Sequence, residues 1–411
     1  MRNVFIRVLL SVAIASLLLL TPNSARAADE RDLACVFETE GRVVVVGDLF
    51  SEYDEFFRIL RLRELIDEDA NWIGGDAHLV QTGNIFPRDN DWRRINNLEA
   101  EHEDILKLLM KLEVQAEQDG GGVHALHGIM DVLMLRWRME NQPREVQALW
   151  AGPDAQAKRD ALEERWLIDH NRIIQQFAEH KHERLILQFH DYMNAFYRPG
   201  SVEFLERYGS YDAKAHTIRY DTEIGAWMRS RNAIIKINNV LYGHAGLSPQ
   251  FLGLSDDPGA KADVDVMSLR EANDVVRARN DDPGLLVPIN IDTNGPVWWR
   301  ELDNMGSGGL REYVLEVLPL FGADAIVVGN NAERNIRQDQ NVFLVDSGVG
   351  SPTRGTPVSV LEIDGDQWKI YINQRAVEQG VIAPLVHEGG PDNPVIPGGE
   401  VQKLEDQNSK D

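Results

Sequence analysis

The sequence predicts a layered α/β fold, and three observations carry that expectation. Short apolar, β-rich runs alternate with long helical stretches, many of those runs stop at a glycine or an aspartate, and a hairpin signature lies near the carboxyl terminus. This alternation is the pattern of sheets covered by helices, not of an all-β sandwich. The chain of 411 residues is 43% hydrophobic and 26% charged, enough for one large or two ordinary domains with a buried core, so disorder throughout is excluded.

The first 27 residues differ from the rest. Arg2 and Arg7 precede an apolar stretch, Val8 to Leu20, followed by Thr21-Pro22-Asn23-Ser24 and Ala25-Arg26-Ala27, the layout of a secretory signal cleaved near Ala27. The apolar core is shorter than the ~20 residues that span a bilayer, so no stable transmembrane anchor is expected and the mature protein is expected to be secreted or periplasmic. The expected strands are then Arg42 to Val46, His78 to Thr82, Val123 to His127, Leu185 to Phe189, Ala233 to Leu241, Ala325 to Val328 and Val342 to Val345. Helical patterns run from Leu98 to Gln118 and from Val132 to about His182. The second is too long for a crossover and reads as a cap inserted over about 132–184, broken by Gly152-Pro153-Asp154. Val358 to Ile363 and Gln367 to Ile372 flank Asp364-Gly365-Asp366 as a hairpin. From about Leu385 to Asp411 glycine, proline and polar residues dominate, and that tail is expected to be disordered.

Charge and cysteine content remove several function classes. Lys and Arg number 42 against 66 Asp and Glu, a formal charge of −24 that repels a polyanion over most of the surface, so nucleic acid is not an expected partner. Cys35 is the single cysteine, which rules out an internal disulfide, and no Cys/His spacing resembles a zinc site. A Ser/His/Asp hydrolase would need a nucleophile elbow of the G-x-S-x-G kind, and none is present.

Five strand-end sequences remain: Val46-Gly47-Asp48-Leu49-Phe50; Gln81-Thr82-Gly83-Asn84 with Pro87-Arg88-Asp89; His124-Ala125-Leu126-His127-Gly128-Ile129-Met130-Asp131; Tyr242-Gly243-His244-Ala245-Gly246-Leu247-Ser248-Pro249; and Val327-Val328-Gly329-Asn330-Asn331. In this order they resemble the calcineurin-like metallophosphoesterases, whose blocks read G-D-x-H, G-D-x-x-D-R-G, G-N-H-E, H-G-G-L-S and G-H-T. Trp227-Met228-Arg229-Ser230-Arg231 and Gly295-Pro296-Val297-Trp298-Trp299-Arg300 sharpen the resemblance to one branch, the bacterial Shewanella-like protein phosphatases. The likeness runs from about Val43 to Asn373, within a domain of about 40–373, and implies a four-layer α/β/β/α sandwich with an inserted helical cap.

The resemblance also implies a mechanism against which the residues can be checked. In the family two divalent cations, such as manganese, bridged by one Asp, hold a water in line with a phosphate ester, and a His protonates the leaving group. Here Asp48 and His244 match ligand positions, Asn84 stands where the bridging Asp belongs, and Phe50, Ile129 and Asn330 replace other ligands. Met130 occupies the general-acid position, Pro87 the place of the Asp that orients it, and Asp131 stands in for the Glu. Asp48, Asn84 and His244 are therefore residual metal candidates, with His127 a further candidate for a rebuilt one-ion site, and the expected cofactor is none or one weakly bound divalent ion. Arg88 and Arg300 are candidate phosphate clamps. Each has a plain alternative: Asp48 could cap the helix that begins near Ser51, His244 could be a hydrogen-bonded buried His, His127 could pack under its loop, and the two arginines could be ion-paired. The expected function is an exported, catalytically inactive pseudophosphatase that binds an unknown protein or small anionic ligand. The alternative is an active phosphoesterase on a reduced metal site.

Overall fold

The computed structural model describes residues 34–87, 101–135, 211–212, 217–218, 222–254, 267–281, 293–330, 335–346, 359–372, 375–387, 394–395 and 401–403. The expected signal sequence, Arg88, the strand at 185–189 and the expected cap beyond 135 lie outside them.

In chain order the elements are β1 (Val36–Phe37), β2 (Val43–Val46), α1 (Tyr53–Leu62), β3 (His78–Gln81), α2 (Glu101–Gln118), β4 (Gly122–Ala125), α3 (Ile129–Leu135), β5 (Tyr211–Asp212), β6 (Thr217–Ile218), α4 (Glu223–Ser230), β7 (Ile234–Ile237), β8 (Val240–Gly243), α5 (Leu269–Asp281), α6 (Glu301–Asn304) and α7 (Ser307–Val317). A single 3-10 turn, Leu318–Phe321, leads to β9 (Ala325–Val328), β10 (Arg337–Asp339), β11 (Val342–Leu344), β12 (Ser359–Asp364), β13 (Gln367–Ile372), β14 (Arg375–Val381), β15 (Val386–His387), β16 (Pro394–Val395) and β17 (Val401–Lys403). Seven strands form one sheet in the order β17-β14-β13-β12-β2-β3-β4, and six form a second in the order β1-β7-β8-β9-β11-β10.

The four consecutive valines of β2 show how one strand joins two layers. Side chains alternate across a sheet, so Val43 and Val45 meet the second sheet's Leu241 and Phe343 in one cluster, while Val44 and Val46 meet Phe56 and Ile59 of α1 and Leu109 of α2 in another. All four valines are buried. α7 brings Leu310, Val314 and Val317 to the cluster of the second sheet, and the result is the α/β/β/α layering. Trp368 of β13 closes the inter-sheet core, its ring 5.4 Å from Phe343 in an edge-on arrangement. Burying a side chain of that size stabilises the fold by about 2–3 kcal/mol.

Two expectations need revision. Ala233 to Leu241 is not one strand: β7 and β8 pair antiparallel, Ile237 opposite Val240, about a two-residue turn. Asn238 takes a left-handed backbone (φ 52°) and its side chain bonds Thr39 at both N and O, which lets an otherwise apolar run reverse. The tail expected to lack order supplies β15, β16 and β17, with Gly380 of β14 opposite Val401 of β17. The edge of β14 offers unpaired backbone groups, and a short polar strand suffices to pair with them.

β2, β3 and β4 run parallel, and so do β8 and β9, so these five strands deliver their carboxyl-end loops to one rim. The Gly329 amide bonds the Gly243 carbonyl at 3.2 Å across the second sheet.

Candidate functional site

The rim is held first by main chain. Leu49 and Phe50 donate their amides to the Asn84 carbonyl (3.2 and 2.8 Å), and Ser51 donates to the Ile85 carbonyl (2.9 Å), so the loop after β2 lies against the loop after β3. Phe50 and Ser51 both take left-handed backbone (φ 45° and 72°), as do Asn84 and Asn330 (φ 55° each). The loop after β4 packs equally close: a Cβ on Gly128 would lie 2.1 Å from the Asn84 nitrogen, so only glycine fits there.

Asn84 lies at the centre of this arrangement. Its amide nitrogen donates to Asp48 Oδ2 (2.7 Å), and its side-chain oxygen accepts from the Met130 amide at the start of α3 (2.8 Å). Its own backbone amide donates to Asp131 Oδ2 (3.0 Å). Asp131 also accepts from Ile85 N (3.0 Å) and Gly128 N (2.9 Å), and Arg231 stands 3.5 Å away, both charges buried. Burial pulls the Arg231 pKa below its ordinary value, against the opposing charge and bond of Asp131. A carboxylate bonded to three amides and facing a guanidinium is a satisfied anion, and it ties the loops after β3 and β4 together.

His244 is fully buried after β8. Its Nδ1 donates to the Thr82 carbonyl (2.7 Å), which leaves the lone pair on Nε2, an atom with no hydrogen-bond partner among the described residues. Nδ1 also stands 3.5 Å from Asp48 Oδ1. Burial, only partly offset by the Thr82 bond, lowers the His244 pKa to about 4, so the ring is neutral at pH 7. Asn330, after β9, accepts from Arg300 Nε and Nη2 through Oδ1 (3.1 and 2.6 Å), and its backbone amide points at Asp48 Oδ1 (3.4 Å).

The structure therefore brings Asp48, Asn84, His244 and Asn330 into one hydrogen-bonded group. His127 is buried beside it, its backbone amide on the Asn232 carbonyl (2.8 Å) and its main chain against Gly83. Arg300 meets Asn330 and not a nearby acid, which sets aside its ion-paired alternative among the described residues. The capping role for Asp48 is also set aside: α1 begins at Tyr53 with Glu52 as its cap residue, because two left-handed residues intervene before helical geometry can start. Phe50 and Met130 are 1% and 5% exposed and lie in the apolar cluster beneath α1 and α2. Arg231 is a contributor whose role sequence reasoning did not assign. It was visible only as the end of the Trp227–Arg231 block, and an arginine just before a buried strand is the signal that could have exposed it.

These residues do not fit a bridged pair of cations. Asn84 turns a donor toward Asp48 and has its oxygen engaged, so it offers neither charge nor a ligand atom where a bridging carboxylate would sit. Among the described residues no three His, Cys, Asp or Glu side chains are grouped so as to hold a metal ion. Among the same residues no helix is long and apolar enough to cross a membrane.

No protein-family model matches the chain. Shewanella-like protein phosphatase 2 of Arabidopsis thaliana is 29% identical over 97 residues, 24% of this chain and 22% of its own length. Shewanella-like protein phosphatase 1 of Plasmodium berghei (strain Anka) is 40% identical over 48 residues, 12% of this chain and 13% of its own length. The matched stretches thus span under a quarter of either relative. The crystal structure of a cold-active protein-tyrosine phosphatase of a psychrophilic Shewanella superposes with a TM-score of 0.54 at 22% identity, covering 84% of both chains. A structure of cold-active protein tyrosine phosphatase at 1.1 Å gives 0.55 at 22% identity, covering 85% of this chain and 82% of the other. The sequence matches and the shared fold agree with the order of the strand-end blocks: over the matched stretches the chain is similar to Shewanella-like protein phosphatases, and it shares the fold of the cold-active Shewanella phosphatase.

Proposed function

We propose that this chain is a pseudophosphatase, exported and retained as a binding module, that does not turn over phosphoesters. The observation that carries the reading is the burial of Phe50 and Met130 in the apolar cluster, at positions where the family resemblance puts a metal ligand and the general acid. A thioether cannot donate a proton to a leaving group, and a phenyl ring cannot ligate an ion, so neither half of the hydrolytic step has its agent. The exposed Arg300, steered by Asn330, is the cationic group that a small anion or an acidic protein segment would meet. Export rests on the pattern of residues 1–27.

The test is multi-turnover hydrolysis of a generic phosphomonoester by purified mature protein, with and without manganese, alongside elemental analysis. No turnover and less than one ion per chain is the expected result. Turnover that disappears in Asp48→Asn would overturn it in favour of a second reading, an active phosphoesterase on one divalent ion. One observation favours that second reading, the buried His244 Nε2 with its lone pair unpartnered among the described residues. Restoring Phe50→His, Asn84→Asp, Pro87→Asp, Ile129→Asn, Met130→His and Asn330→His together is the corresponding gain-of-function experiment, because such residues act as a unit.

A further inference from the structure

We infer that the side chain of Asn84 does within this chain the structural work of a bridging cation, so that the rim is locked without any ion. The inference rests on the non-catalytic reading of the cleft and deepens it. A bridging ion joins loops by accepting lone pairs from ligands on different segments. Asn84 joins the same kind of partners with the opposite and complementary groups of one amide. Nδ2 donates to Asp48 on the loop after β2, Oδ1 accepts from Met130 N on α3, and the residue's own main chain takes Leu49 N, Phe50 N and Asp131 Oδ2. The residue is 3% exposed, so none of these bonds competes with bulk water. Its left-handed backbone puts the side chain between the two loops, and asparagine adopts that region more readily than most residues. A carboxylate at the same place would face Asp48 Oδ2 oxygen to oxygen at the 2.7 Å now spanned by a hydrogen bond, which is repulsive unless a cation or a proton intervenes. The lock therefore requires the amide and rejects the acid.

The melting temperature of the full mature chain is the readout, taken in chelator and in manganese for the unaltered protein, Asn84→Asp and Asn84→Gly. Glycine tolerates the left-handed backbone, so the second variant removes the side-chain bonds without adding strain or charge. The unaltered protein is expected to melt at the same temperature in both solutions. In chelator Asn84→Gly should melt about 3 °C lower and Asn84→Asp about 5 °C lower or more, with manganese restoring the Asp variant alone. A melting temperature of the unaltered protein that climbs in manganese would overturn the inference, because an ion would still be closing the rim. So would an Asn84→Gly variant that melts with the unaltered protein, a comparison that stands even if Asn84→Asp does not fold. Phosphoester turnover by the unaltered protein with no manganese-dependent change in melting would remove the non-catalytic reading and leave the lock standing.

Discussion

The two ends of the β2, β3 and β4 strands hold their polar groups in different ways. At the carboxyl ends, Asp48 and Asp131 are buried but met by fixed donors: the Asn84 amide for one, three backbone amides and Arg231 for the other. At the amino end of β3 the chain places an imidazole pair instead, His78 buried and His124 partly so. His78 Nδ1 lies 2.9 Å from His124 Nε2, the rings stack at 5.1 Å, and Phe37 of β1 covers His124 at 4.4 Å. Burial lowers both pKa values, that of His124 to about 3 with His78 adding to the effect, and Asp76 is the acid that acts on His78 in the other direction. The backbone and Asn84 amides of the rim hold their sign at any pH, whereas imidazoles, the pair at the base and the buried His244 at the rim, keep their contacts only while neutral. The base is held by imidazoles alone, while the rim adds amides that acid does not alter.

The largest break should come at the rim. Asp131→Ala strips the acceptor from three amides and leaves Arg231 buried without its counter-charge, and urea unfolding should show a loss of about 3–5 kcal/mol. Asp131→Asn keeps the shape and should lose less.

Acid should find the base next. An unfolded histidine takes a proton below about pH 6.5, while the folded pair refuses it until far lower, so stability is full above that pH and falls as pH drops through the interval. Between pH 7.5 and pH 5 the expected loss from the pair is about 1–2 kcal/mol by urea unfolding, and His124→Gln should remove part of the slope, the buried His244 supplying the rest. A slope unchanged in His124→Gln would mean that the acid sensitivity lies elsewhere.

Arg300→Met removes two bonds that an exposed guanidinium makes to the buried Asn330 and should cost about 1 kcal/mol. Lys107→Ala, at neither end, breaks an i,i+4 pair between the exposed Lys107 and the partly buried Glu103 and should change stability by less than about 0.5 kcal/mol, which calibrates the other three.

What the sequence made legible was what it encodes locally. Strands end where Val46-Gly47-Asp48 and Val327-Val328-Gly329 say they do, and the layered architecture follows from the order of such blocks. The β7–β8 reversal escaped notice because Asn238-Asn239 interrupts an apolar run without glycine or proline. The Asp131–Arg231 pair joins residues a hundred positions apart in sequence, and no local pattern announces it. The direction of the Asn84 side chain was equally hidden, since it depends on a backbone angle that the residue's identity permits but does not dictate. Part of the predicted site, Arg88, lies outside the described residues.

The left-handed backbone at Asn84 and Asn330 has a consequence for how this cleft can change over generations. Positions in that region admit glycine, asparagine, aspartate and histidine far more readily than β-branched or bulky residues. Two of those four are the residues that the family resembled by the sequence has at these positions, aspartate at 84 and histidine at 330. The main chain at these two points therefore does not record which chemistry came first, and mutation between the amide and the ligand at either position meets no barrier of backbone geometry, only the cost of what surrounds it.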